Sequence, residues 1–263
     1  MRFACALEYD GGAFRGWQRQ RPGVRTIQAV VEQALSRVAD APITAVCAGR
    51  TDAGVHATGQ VCHFDSPVER GEKAWVMGAN TILPEDCALR WARPVANGFH
   101  ARYSALSRRY RYVILEGWNR SALWWQRAAW YHGTLDVPAM QNAATHLLGE
   151  HDFTSFRSAA CQARHAVRRI DGITIERRGR AVVIDVEGNA FLHNMVRIIA
   201  GVLLAVGAGE QPTDWTAHLL AAKDRTQAGV TAPARGLFLV GPRYGPEWGL
   251  PEPQLPPWPA RTE

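Results

Sequence analysis

Apolar positions change period several times along the 263-residue chain, and each change marks an element. RFACALEY, residues 2–9, predicts a first strand, which Asp10-Gly11-Gly12 ends. A polar loop follows, carrying Phe14 and Trp17 among Arg15, Arg19 and Arg21. Ile27, Val30, Val31, Ala34, Leu35 and Val38 recur at helical spacing behind Thr26, an N-cap type. They predict an amphipathic helix over 27–39. Strands are predicted at 43–47 and 60–65. Between them lies AGRTDAGVHATGQ, Ala48–Gln60, a polar Gly-rich insertion. A helix over 72–80, stopped at Leu83-Pro84, and a strand over CALRWARPV complete the first half.

In FHARYSALSRRYRYVILEG, residues 99–117, strict alternation predicts a strand from Arg109 to Leu115. Tyr110, Tyr112 and Ile114 share one face, and Arg109, Arg111 and Val113 the other. Met140, Ala143, Ala144, Leu147 and Leu148 predict a helix through 138–148 with Gly149 as its stop. RIDGITIE and AVVIDVEG, turning at Arg178-Gly179, predict a hairpin. An apolar helix follows at about 191–206, then a helical candidate from Trp215 to Lys223, then a closing strand, GLFLVGPRY. Strand–helix–strand units with hairpins in both halves indicate an α+β fold with antiparallel sheets and helices on one face. The expected division is an N-terminal domain over 1–105, a C-terminal domain over 106–245, and an irregular Pro-rich tail over 246–263. No fixed-period repeat occurs, which excludes solenoids.

The composition, 47% hydrophobic and 21% charged, is that of a soluble globular protein. A net charge of +6 suggests a polyanionic partner, nucleic acid being the commonest. Lys73 and Lys223 are the only lysines. The other basic residues are arginines, which fork phosphates and stack on bases. A GC-rich genome would explain that bias equally well, but not the net charge. The five cysteines are scattered and never spaced CxxC, so neither a disulfide framework nor a zinc site is expected. MRFACALEYD turns acidic too early for a signal peptide. MVRIIAGVLLAVGAG is too short to span a bilayer and carries Arg197. The expected location is the cytoplasm, with no membrane partner.

Three residues stand out chemically. Asp52 sits on a short loop between two strands, where both ends aim it; an Asp with Gly two residues on is also an ordinary turn. Arg50 could hold a phosphate or pair with the acid, and His56 could orient backbone, bind phosphate or move protons. Arg197 lies on a helix apolar almost all round, where burial demands a partner. Asp52 is one candidate, and snorkelling to water is the other explanation. Tyr110 belongs to an RRYRY run that suits base stacking but also an ordinary sheet strand. No GxxxxGK, HExxH, GxSxG or GxGxxG element appears in its required context.

Taken together, EYDGGAFRGWQ, AGRTDAGVHATGQVCHF, FHARYSALSRRYRY, HDFTSFR, NAFLHNMVRIIAGVLLAVG and AAKDRTQAGVTAPARGLFLV closely resemble the bacterial tRNA pseudouridine synthase A family, over roughly residues 2–244. The resemblance implies an isomerase that converts uridine to pseudouridine at positions 38–40 of tRNA. It implies Asp52 as the essential aspartate, Arg197 as its basic partner, Tyr110 stacking on the target base, Arg50 holding the nucleotide, and Leu237 packing on the site wall. It further implies two α+β domains joined into one extended central sheet with the active-site cleft between them, a homodimer, and no cofactor or metal. A non-catalytic RNA-binding module and a carboxylate-pair glycosidase are the alternatives; the second needs a further acid near Asp52, and neither motif supplies one.

Overall fold

The computed structural model describes residues 1–254 of the chain. Its elements are β1 (Arg2–Tyr9), α1 (Ile27–Ala39), β2 (Val46–Cys47), β3 (His56–Asp65), α2 (Glu72–Asn80), β4 (Cys87–Val95), β5 (Ala105–Glu116), β6 (Ala129–Tyr131), α3 (Val137–Thr145), β7 (Gly149–Asp152), β8 (Val167–Arg178), β9 (Ala181–Gly188), α4 (Met195–Gly207), α5 (Trp215–Ala222) and β10 (Leu237–Tyr244). The class is α+β. The chain forms two compact units. Among the described residues, one holds Met1–Arg108 and Phe238–Gln254; the other holds Arg109–Leu237. The closing strand therefore lies with the first unit, not with the span 106–245, because Phe238 and Leu239 pair in parallel with His56 and Ala57 of β3.

In the first unit β1 runs antiparallel to β3 on one side and to β4 on the other. Residues 3–7 of β1 are all buried, so the strand is covered on both faces. Phe3 stacks on Phe64 and leans on Trp75 of α2, with ring centroids 5.5 and 5.3 Å away. Ala4 and Ala6 pack with Val61, Phe99 and Ala101, and Tyr244, Trp248 and Leu250 close that cluster. The start of the Pro-rich tail, one 3-10 turn over Pro246–Trp248 followed by irregular chain, is part of this packing: Trp248 meets Phe99 edge-on at 5.1 Å, and Arg93 bonds the Gly249 oxygen at 3.1 Å. Residues 255–263 of the expected tail lie outside the described residues.

The strands flanking the polar insertion differ from expectation. β2 is two residues long rather than spanning 43–47. The Ile43 and Ala45 amides donate instead to Ser36 Oγ and Glu32 Oε1 of α1, at 2.9 and 3.0 Å. β3 begins at His56, four residues before the expected start. Gly59 allows this, since a Cβ there would lie 2.4 Å from the Val240 oxygen of β10.

In the second unit β8 and β9 form the expected hairpin, with β7 antiparallel to β8. β5 neighbours β9, and the short β6 runs parallel to β5. α3 is capped by Asp136, whose carboxylate accepts the Ala139 N–H at 2.9 Å. It ends at Thr145, three residues early, and the chain turns through Leu147. α4 starts at Met195 rather than 191 because Asn194 adopts left-handed backbone, φ 62°. Nine of the thirteen residues of α4 are buried and none is exposed, which accounts for its apolar character all round.

Candidate active site

The Asp52 loop runs from Ala48 to Val55, and buried polar groups of its own unit hold it. Gln60, fully buried on β3, donates its amide to the Gly49 oxygen at 2.5 Å. The Tyr9 hydroxyl, at the end of β1, lies 2.8 Å from Thr51 Oγ1. The Trp17 amide donates to the Thr51 oxygen at 2.9 Å. Burial pushes the Tyr9 phenol well above its ordinary pKa, so it stays protonated. The residues before Asp52 are therefore fixed through side chain and main chain alike. After it, the Val55 amide donates to the Asp52 oxygen at 3.1 Å, closing a turn in which Gly54 takes φ 78°. Asp52 itself is half-buried and Arg50 exposed.

His56 is not a loop residue. It opens β3, is 1% exposed and stacks on Phe238 at 4.7 Å. Its Nδ1 lies 3.0 Å from the Gly11 amide and 3.1 Å from Asp10 Oδ1. The histidine thus ties the Asp10–Gly12 turn to the end of the Asp52 loop. Gly11 has no room for a side chain, because a Cβ would fall 1.9 Å from the Val55 oxygen. The resulting assembly of β1 end, turn and loop is built for rigidity, as an aimed reactive group requires.

In the second unit Arg197 is half-buried on the third residue of α4. Its Nε donates to the Ala232 oxygen at 2.8 Å and its Nη1 to Asn194 Oδ1 at 2.9 Å. Tyr110, on β5, is half-buried with its ring edge-on to Phe191 at 5.1 Å. Tyr112, two residues on, is fully buried. Its hydroxyl donates to the Pro233 oxygen at 2.9 Å. Burial raises the Tyr112 pKa, and the nearby charges of Arg197 and Arg235 oppose that rise. Leu237, 6% exposed, follows the tight turn Ala234–Gly236 and opens β10.

Within the first unit, then, Asp52, Arg50 and His56 share one braced loop and its border. Within the second, Arg197, Tyr110 and Leu237 lie on α4, β5 and the start of β10. The bracing groups Tyr9, Thr51, Gln60, Asn194 and Ala232 do not emerge from sequence reasoning. Thr51 and Gln60 lie within the Ala48–Gln60 insertion and read as loop polarity; only their burial separates them from solvent-facing residues. Among the described residues there is no group of three or more His, Cys, Asp or Glu side chains arranged to hold a metal ion. No described helix is long and apolar enough to cross a membrane.

Residues 5–104 and 143–245 match the model of a family described as tRNA pseudouridine synthase. The chain is 54% identical over 250 residues to the tRNA pseudouridine synthase A of Methylococcus capsulatus, covering 95% of this chain and 92% of the relative. It is 53% identical over 257 residues to the protein of the same name from Vibrio cholerae, covering 98% and 97%. A protein of that name from Xanthomonas campestris is 53% identical over 252 residues, covering 95% and 98%.

Proposed function

The chain belongs to the tRNA pseudouridine synthase family, and from that premise we propose that it modifies uridines at positions 38–40 in the anticodon stem-loop, with Asp52 as the reactive carboxylate. The enzyme is an isomerase acting on tRNA. The observation that carries the Asp52 assignment is the bracing of its loop. Gly49 and Thr51 are each held by a buried side chain, Gln60 and Tyr9, that serves no other element of the loop. A solvent turn would not need this.

The chemistry sets the demands. The N1–C1′ bond of uridine breaks, the base turns over while bound, C5 bonds to C1′ and gives up its proton to solvent, and N1 takes up one proton in its place. No atom is gained or lost overall. A stacked uridine must first be extruded, which costs a few kcal/mol. In this reading Arg50, exposed at the loop, offsets that cost through phosphate contact. Tyr110 offers its ring to the extruded base, and Leu237 supplies apolar wall. Arg197 is the cation that serves the ionised Asp52. Attack on C1′, attack on the base and removal of a sugar proton all need that ionised carboxylate at a fixed position. His56, buried at the start of β3, supports the loop through its contacts with the Asp10–Gly12 turn.

The experiment is to map pseudouridine, nucleotide by nucleotide, in unmodified tRNA treated with the purified protein. Product at 38–40 alone supports the assignment. Product elsewhere in the tRNA keeps the family and overturns the position.

A further inference from the structure

An N-cap asparagine ordinarily turns its side chain onto the amides of the first helical turn. Asn194, at that position of α4, does not: its side chain makes no capping bond. It accepts instead from Arg197 Nη1 at 2.9 Å. Its backbone sits in the left-handed region, φ 62° and ψ 5°, a conformation that asparagine tolerates better than most residues. The helix has given up its own side-chain cap to place an oxygen on one arginine.

The second bond to Arg197 is equally arranged. Residues 229–233 run as a strap across α4. The Ala232 amide donates to the Arg197 oxygen at 3.1 Å, and Arg197 Nε returns a bond to the Ala232 oxygen at 2.8 Å. The strap can approach so closely because Gly201, one turn along the helix from Arg197, has no side chain; a Cβ there would lie 2.0 Å from the Val230 oxygen. Arg225 grips the near end of the strap through the Gly229 oxygen and Thr231 Oγ1, at 3.0 and 2.9 Å. Tyr112 holds the far end through the Pro233 oxygen.

We propose that Asn194 and the strap oxygen of Ala232 form a clamp that sets the position and plane of the Arg197 guanidinium, which makes Asn194 a positioning residue for the isomerisation. A guanidinium is planar and rigid, so bonds at two different nitrogens fix its plane as well as its centre. Both acceptors are neutral, so neither consumes the charge that the reaction uses. The clamp rests on the reading of Arg197 as the cation serving Asp52.

The test is Asn194→Gly. Glycine adopts the same left-handed backbone without strain, so it removes the side-chain oxygen and spares the fold. The expected result is a single-turnover rate down by about ten- to a hundredfold, the upper end being the cost of a 1 Å misplacement, with tRNA affinity and melting temperature unchanged. In an Arg197→Met background the same glycine should cause no further loss. A wild-type rate for Asn194→Gly overturns the clamp, as does a further loss in the Arg197→Met background. Arg197→Met with wild-type activity overturns the reading of Arg197 itself, and so separates the two failures.

Discussion

The Tyr9 hydroxyl lies 2.8 Å from Thr51 Oγ1 in a fully buried setting, one residue from Asp52. Forty-two residues separate the pair in the chain. Removing the hydroxyl leaves Thr51 with a buried oxygen short of a partner and loosens the loop. Tyr9→Phe should lower unfolding free energy by about 1–2 kcal/mol, read by urea denaturation. Turnover should fall while tRNA binding holds, because the loop is misaimed rather than lost.

His63 makes folding pH-dependent. It is 5% exposed, and its Nδ1 accepts the Ala101 N–H at 3.1 Å, a bond that needs the neutral ring. Burial first, then the charges of His100 and Arg2, lower its pKa to about 4. The unfolded chain, near 6.5, therefore takes up the proton first. Stability is complete above about pH 6.5 and falls as the pH drops toward 4, by as much as about 3 kcal/mol. Urea titrations across that window should show the slope in the wild type and lose most of it in His63→Gln.

The thiols should react in two classes. Cys5, Cys47, Cys62 and Cys87 are buried, and Cys161 is half-exposed. Burial pushes Cys47 and Cys87 up to about 12, which leaves almost no thiolate at neutral pH. A disulfide reagent should modify Cys161 in the native protein and all five thiols only after denaturation. Rapid native labelling of a second cysteine would contradict this.

Arg197→Lys keeps the charge but has one nitrogen where the clamp requires two. Its turnover should lie between wild type and Arg197→Met, with tRNA affinity near wild type in both. Equal losses in the two variants would mean that charge alone contributes nothing.

Elements with an uninterrupted period were legible from the sequence. α1 and α2 occupy the predicted residues, and β8 and β9 form the predicted hairpin around Arg178-Gly179, because local spacing alone determines them. What escaped depends on partners remote in the chain. β3 starts early because β10, nearly two hundred residues later, pairs with His56 and Ala57. β2 is short because α1 side chains take the amides before it. α4 starts late because Asn194 turns to Arg197 instead of continuing the helix. The candidate residues were legible as anomalies, an acid on a glycine loop and an arginine in an apolar helix. Their supports were not, since Gln60 and Tyr9 look ordinary until their burial is known.

The central claim is that Asp52 carries out the isomerisation, and Asp52→Asn tests it most directly. The measurement is release of tritium from tRNA labelled at C5 of uridine, with binding of the same tRNA followed in parallel. Asparagine keeps the size of the side chain and removes its charge. The account predicts no release above background and tRNA affinity within about threefold of wild type, since phosphate contacts dominate affinity. Release at the wild-type rate by Asp52→Asn would contradict it.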